Sequence, residues 1–499
     1  MTRFCFVFVF LVFAVDVLAT ESGSEAAPIR SAEETERLLK LAKSDVLISS
    51  RWKHPQNDKD PHDTMRAISE FHATRNEWCY ADDPEFIGKV KSKVKTYAGT
   101  VNTLYRVGKK NDEKAYPGQV TSRDGNSVAA PWMIVFHGWW GCVNSKEFRD
   151  DYLGRLGRLL DGGVDSIHMD DPSLNLATLR WGGCFCPYCI EGFRSFLKEQ
   201  ALPQNVRIQI GDVDRWDVRS IGPDKPELWA LFRDFQQESV RRFYVDMRKA
   251  IRNMAGREVL FSTNNYCGTW NFPSDSTDFG VAELNEKSAT PLNLFQVVEE
   301  ARRRGKIQIF TLSFRDVPKN RFIYALLYAT GSHAILPWDV YITSDSPRLY
   351  LKPEEFADIS GFVRSMAQYL DDYSTGLVSG GELNQLAQSS LMISGNDTLY
   401  ALARSPKNGP DVVHLVQWGE SGKSVLKLVP DHLWKGQRPQ EVDIWTPVPY
   451  DAQLHKDAGQ SGDYSRLAHS QRVPVRYAND GKAEIVIPPI DLWAIVTVP

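Results

Sequence analysis

Two apolar runs in this chain end abruptly in acid. Val164-Asp-Ser-Ile-His-Met leads straight into Asp170-Asp171-Pro172, and Asp278-Phe-Gly-Val-Ala closes on Glu283, with Glu286 three residues later. Carboxylates at the ends of such runs can be brought face to face, and a facing pair can divide the work of glycosidic cleavage. One, protonated, serves the leaving oxygen while the other acts as nucleophile or base, about 5 Å apart in retaining enzymes and wider in inverting ones. Side chains alternate along a strand, so His168 and Asp170 share one face and Met169 and Asp171 the other. Asp170 is the expected inward carboxylate. Asp171 also suits a turn cap before Pro172, and Glu286 suits the first turn of a helix, which ranks Glu283 above it.

A second cluster is made of sulfur. Cys184-Phe-Cys186-Pro-Tyr-Cys189 gathers three cysteines within six residues, and Cys142 stands one element earlier. Four thiolates on neighbouring loops can hold a tetrahedral zinc ion, and in an oxidising compartment they can equally form disulfides. A structural clip of either kind is expected. A redox role is not, because no thioredoxin-like unit surrounds the Cys-x-x-Cys element.

The elements that must position these residues are legible in the periodicity. Strand-like runs occur at 44–50, 101–107, 132–137, 165–169, 258–263, 279–283, 307–312 and 333–337, most of them followed by helical spacing. The run 132–137 (WMIVFH) is continuously apolar, as for a strand buried on both faces. Phe148, Tyr152, Leu156 and Leu159 mark a helix before the fourth run, and 228–254 and 294–304 mark others. Alternating strand and helix implies α/β architecture with parallel strands, and eight such units imply a (β/α)8 TIM-type barrel over residues 28–378. No glycine-rich phosphate fingerprint comes after the first run, which weakens a dinucleotide fold. Beyond 379 short strand-like runs alternate with Gly, Pro, Asp and Asn, the pattern of a C-terminal antiparallel β-sandwich over 379–499.

Barrel active sites sit at the C-terminal ends of strands, which widens the candidates for substrate contact to Arg51, Trp52, Arg106, His137, Trp139, Trp140, His168, Asn264, Arg315, Trp338 and Asp339. The tryptophans could stack on sugar rings. Arg51, Arg106 and Arg315 could grip a uronic, sialic or sulfated sugar, or pair with nearby aspartates.

The stretch Gly163–Leu197 (GVDSIHMDDPSLNLATLRWGGCFCPYCIEGFRSFL) resembles the strand-four region of secreted barrel glycoside hydrolases, and Asp278–Glu283 and Arg321–Asp339 resemble the same broad group. The resemblance implies a glycosidase with Asp170 or Asp171 as nucleophile and Glu283 as acid/base, as in barrel clans that include α-galactosidases and α-fucosidases. The β-galactosidase-like clan places an Asn-Glu pair after strand four. That pair is missing here, although the cysteine loop is similar to the structural zinc cluster of some of its members.

Composition sets the outer bounds. The 499 residues are 42% hydrophobic and 24% charged with a net charge of −4, ordinary for a globular protein and without pull toward nucleic acid or an anionic membrane. Residues 1–19, with Arg3, the apolar run 4–18 and Val17-Leu18-Ala19, have the form of a secretory signal peptide. The expectation is therefore an exported protein that acts on carbohydrate, is free of the membrane once the signal is removed, and needs no cofactor for catalysis. The rival expectations are a metal-dependent barrel hydrolase using His137, His168 and Asp170 as ligands, and a barrel that binds glycans without turnover.

Overall fold

The computed structural model describes residues 30–49, 64–105, 117–131, 138–312, 314–340, 347–371, 373–406 and 409–499. Eight parallel strands form its first body: β1 (Leu47–Ser49), β2 (Arg75–Cys79), β3 (Thr96–Val101), β4 (Ser166–Met169), β5 (Leu260–Asn264), β6 (Phe279–Glu283), β7 (Ile307–Thr311) and β8 (His333–Val340). They pair in chain order, and β1 closes the ring on β8 with Leu47 opposite Ile335. The expected TIM-type barrel is present.

The barrel floor is apolar. Leu47, Leu260, Phe279, Val281, Ile307, Ile309 and Ile335 fill it, plugged by Leu39 and Leu41 from the segment before β1. Helices cover the outside, and the contacts are close enough to dictate residue size. A Cβ added at Gly99 of β3 would stand 2.7 Å from Leu159 Cδ2 of the helix Lys146–Asp161. Between β5 and β6 only short 3-10 turns intervene, whereas β4 is succeeded by an insertion carrying three α-helices and two 3-10 turns before the long helix Pro226–Ala255.

β1 and strands four to eight fall where the sequence places them, and β2 and β3 do not. β2 (RNEWC) escapes detection because its inward groups are charged. Arg75 Nε donates to Glu77 Oε1 at 2.8 Å and Arg75 Nη1 to Leu39 O at 2.8 Å, so two ions sit satisfied at 1% exposure inside the barrel. The expected strand at 101–107 is corrected: the barrel strand is Thr96–Val101. Leu104–Tyr105 leaves the barrel to pair antiparallel with Trp139–Trp140. The run 132–137 lies outside the described residues.

The second body is a nine-stranded antiparallel sheet: β9 (Tyr373–Ser379), β10 (Leu391–Ser394), β11 (Leu399–Pro406), β12 (Val412–Gln417), β13 (Ser424–Leu428), β14 (Glu441–Pro447), β15 (Ala468–Tyr477), β16 (Ala483–Ile487) and β17 (Trp493–Thr497). Its order is β9-β11-β12-β17-β14-β15-β16-β13-β10, curling into a sandwich around Leu399, Leu415, Leu426, Val442, Ile485 and Trp434. It braces the barrel's last helices and the turn after the early helix Thr64–Glu70. Fully buried Arg404 donates to Leu370 O at 2.8 Å, Trp493 lies 5.0 Å from Phe362, and His72 meets His455 at 2.8 Å.

Candidate active site

Two strands present the carboxylates, and the strand between them presents an amide. The ladder between β3 and β4 runs one bond past β4, since Asp170 N still donates to Val101 O at 2.9 Å. The backbone of Asp170 is therefore as fixed as the strand beneath it. Asn264 ends β5 and Glu283 ends β6. The Asn264 Nδ2 amide stands between the two acids, 3.3 Å from Asp170 Oδ1 and 3.3 Å from Glu283 Oε2. A shared amide nitrogen limits the separation of those two oxygens to twice that distance.

Asp170 is held from two further sides. The Asp171 amide donates to its Oδ1 at 2.9 Å, and the Tyr80 hydroxyl donates to its Oδ2. Tyr80 comes just after β2 and was missed with that strand. It reaches Asp170 because β2 carries a register shift between Asn76 and Cys79, at which Trp78 adopts φ +55°. Such a bulge adds one residue and re-aims the side chains beyond it. Burial, and next the Asp170 charge, push the Tyr80 phenol well up, so it stays a donor.

The electrostatics oppose two free charges in this space. Burial raises the Asp170 carboxyl and the Glu283 charge raises it further, against the lowering effect of the Tyr80, Asp171 and Asn264 hydrogen bonds. Asp171 is pushed up well above the ordinary carboxylate range, first by burial, then by Asp170 and Glu283. Among the described residues it has one modest donor, Thr103 Oγ1 at 3.4 Å, and its backbone sits at φ +54°. Tyr244 anchors the turn beyond it by donating to Pro172 O at 3.0 Å.

Several expected substrate contacts fall elsewhere. His168 does share the inward face with Asp170, but it lies one layer down at 1% exposure, with Nδ1 2.9 Å from Ser262 Oγ and its ring 4.5 Å from that of Trp78. It packs the barrel and does not face a substrate. Trp140 is likewise corrected: it is 1% exposed, donates to Leu174 O at 3.0 Å and packs edge-on to Trp181 in the core of the β4 insertion. Trp139 is half-buried on the short ladder opposite Tyr105. Glu286 sits exposed in the turn after β6, ahead of the helix that begins at Pro291, and Arg315 is exposed after β7. Trp338 and Asp339 lie on β8, where their backbones pair with Tyr350 and Leu349 of an antiparallel arm. Arg51, Trp52, Arg106 and His137 lie outside the described residues.

The cysteines do come together. The sulfurs of Cys142, Cys184, Cys186 and Cys189 all lie within 4.8 Å of one another, every residue is buried, and none is in a disulfide. Among the described residues this is the one group of three or more His, Cys, Asp or Glu side chains arranged to hold a metal ion. It lies in the core of the β4 insertion, not among the carboxylates.

Fold and site together define a (β/α)8-barrel protein with an appended β-sandwich and a carboxylate pair at the ends of strands four and six. No family profile matches the sequence. The chain is 21% identical over 353 residues to an Alpha-agarase of Thalassotalea agarivorans, a match taking in 62% of this chain and 23% of that protein, so it spans under a quarter of that relative's length. It shares its fold with the cycloisomaltooligosaccharide glucanotransferase of Paenibacillus sp. complexed with cycloisomaltoheptaose. That likeness has a TM-score of 0.52 at 8% identity and covers 91% of this chain and 85% of that one.

Proposed function

We propose that the chain is a glycoside hydrolase that cleaves a poly- or oligosaccharide, with Asp170 as nucleophile and Glu283 as acid/base. The observation that carries this is the Asp170–Asn264–Glu283 row at the barrel mouth. Asp170 accepts three hydrogen bonds, which favour its ionised form against the upward push of burial and fix the carboxylate in place as the nucleophile. The shared amide keeps Asp170 Oδ1 and Glu283 Oε2 no more than twice 3.3 Å apart, at or below the bottom of the roughly 6.5–9.5 Å range of inverting enzymes, which favours a retaining, two-step reaction. In the first step Asp170 attacks the anomeric carbon as Glu283 delivers its proton to the leaving oxygen. In the second, Glu283 takes a proton from water, and that water displaces Asp170.

The similarity to an Alpha-agarase points to a galactan such as agar as the first substrate to try. Export by the signal-like residues 1–19 fits a polymer met outside the cell. Among the described residues no helix is long and apolar enough to cross a membrane. A metal bound by the cysteines would take no step in this reaction.

The test is a hydrolysis screen against agar and against neutral, uronic, sialylated and sulfated glycans, run beside Asp170→Asn and Glu283→Gln. Release abolished by both substitutions, with the first-formed product in the substrate's anomeric configuration by NMR, is the expected result. Release that survives either substitution would refute the assignment.

A further inference from the structure

The cysteine cluster has the geometry of four ligands about one centre. Cys142 Sγ lies 3.4 Å from Cys186, 3.4 Å from Cys189 and 3.5 Å from Cys184, and Cys184 lies 3.1 Å from Cys189 and 3.9 Å from Cys186. A disulfide brings two sulfurs to about 2.05 Å and leaves the rest apart. Here each sulfur has several near neighbours and no bonded one. A tetrahedron with zinc–sulfur bonds of about 2.3 Å has edges near 3.8 Å, close to the separations found.

A second observation is independent of the sulfurs. Asn175, fully buried, turns its Nδ2 amide on Cys142 at 3.3 Å and Cys189 at 3.6 Å while also donating to Gln236 Oε1 at 3.1 Å, and Asn144 Nδ2 reaches Cys189 at 3.2 Å. Cys186 is also the N-cap residue of the 13-residue helix Pro187–Glu199, with Cys189 in its first turn. Amide donors and a helix N-terminus aimed at sulfur offset negative charge, and four thiolates around a divalent ion carry a net −2.

We propose that Cys142, Cys184, Cys186 and Cys189 bind one structural zinc ion, and that this ion fixes the turn bearing Asp170 and Asp171. The cluster joins the loop after β3, through Cys142, to the β4 insertion, through the other three. Asn175 extends that link toward the mouth. It lies four residues beyond Asp171, and its Oδ1 accepts Val143 N at 3.0 Å while its amide serves the sulfurs. All-sulfur coordination suits a soft ion, and zinc gives a redox-inert clip. The metal assignment stands whether or not the chain is a glycosidase; only the importance of the turn rests on that reading.

The deciding experiment is elemental analysis of the full-length protein by plasma mass spectrometry, with intact-mass measurement after thiol alkylation. One zinc per chain is expected, with these four cysteines alkylated only after a strong chelator removes the metal. Chelation should also speed proteolytic cleavage within 171–190 and leave the C-terminal sheet intact. Asn175→Ala, which keeps all four ligands, should loosen zinc retention about 10–100-fold. Iron in place of zinc would overturn the assignment. So would metal-free protein with four reactive thiols, or a mass short by the hydrogens lost to disulfides.

Discussion

Asp170, Asn264 and Glu283 stand at the ends of three consecutive strands of one ladder, whereas the four cysteines come from two loops outside it. In the first group the backbone supplies position, and one side-chain amide is enough to complete the row. In the second the cysteines lie on loops beside a short ladder, Leu104–Tyr105 against Trp139–Trp140, and over a separate apolar core around Phe185, Phe193 and Phe232, outside the barrel's own ladder. Rigid elements hold catalytic groups without outside help, and loops need a crosslink. The carboxylates should therefore be replaceable with loss of chemistry and little loss of fold, and the cysteines the reverse.

The largest break in that contrast comes from the carboxylates themselves. Asp170→Asn and Glu283→Gln should each lower kcat by about 10³-fold or more, while thermal unfolding tracked by circular dichroism shifts little or upward. A variant that unfolds at lower temperature in proportion to its lost activity would mean that the acids are structural. Asn264→Ala is the next step down. It removes the amide shared by both acids and should cost about 10²-fold in kcat, the scale of one lost preorganised donor. A KM effect alone would make Asn264 a substrate contact instead.

How far these residues could be found in sequence depended on what surrounds each strand. β4 and β6 were legible because Ile167, Met169, Val281 and Ala282 are apolar up to the terminal acid. β2 was illegible because its apolar signal is replaced by the Arg75–Glu77 pair, which satisfies itself inside the barrel. With β2 went Tyr80, whose one sequence cue is its place in Trp78-Cys79-Tyr80 after a polar triplet. Gly99 hid β3 in a similar way: it reads as a turn, yet it is small because Leu159 presses on it. His168 was given its face but not its depth in sequence, since a period-two pattern gives a side chain's face but not its layer, and Trp140 belongs to the core of the β4 insertion.

Tyr80 offers a finer test of how the ladder groups are tuned. Its hydroxyl donates to the charged form of Asp170 and so lowers that carboxyl against burial and the Glu283 charge. In Tyr80→Phe the Asp170 carboxyl should rise further, so that a higher pH is needed to ionise the nucleophile. The acid limb of the kcat/KM profile should move to higher pH, with activity at the optimum reduced about 10-fold. An unchanged acid limb would show that Asp170 does not set it.

Asp171 separates the two kinds of construction within one turn, and the expected effect is the smallest. Its folded-state carboxyl is raised, chiefly by burial and then by Asp170 and Glu283. Between the ordinary aspartate range and that raised value the folded chain binds more protons than the unfolded one, so stability falls as pH climbs through this window. Asn at 171 keeps an oxygen for Thr103 Oγ1 and carries no charge to bury. Asp171→Asn should therefore stabilise the protein by about 1 kcal/mol at neutral pH, and the gain should vanish below the ordinary aspartate range, where the native side chain is protonated in both states. Thermal melts of both proteins at about pH 3.5 and at about pH 7.5 would measure it. A gain at neutral pH with most activity kept would leave Asp170 as the working acid of the pair. Activity lost as completely as in Asp170→Asn, with the same gain in stability, would move the nucleophile one residue along, from the ladder onto the turn.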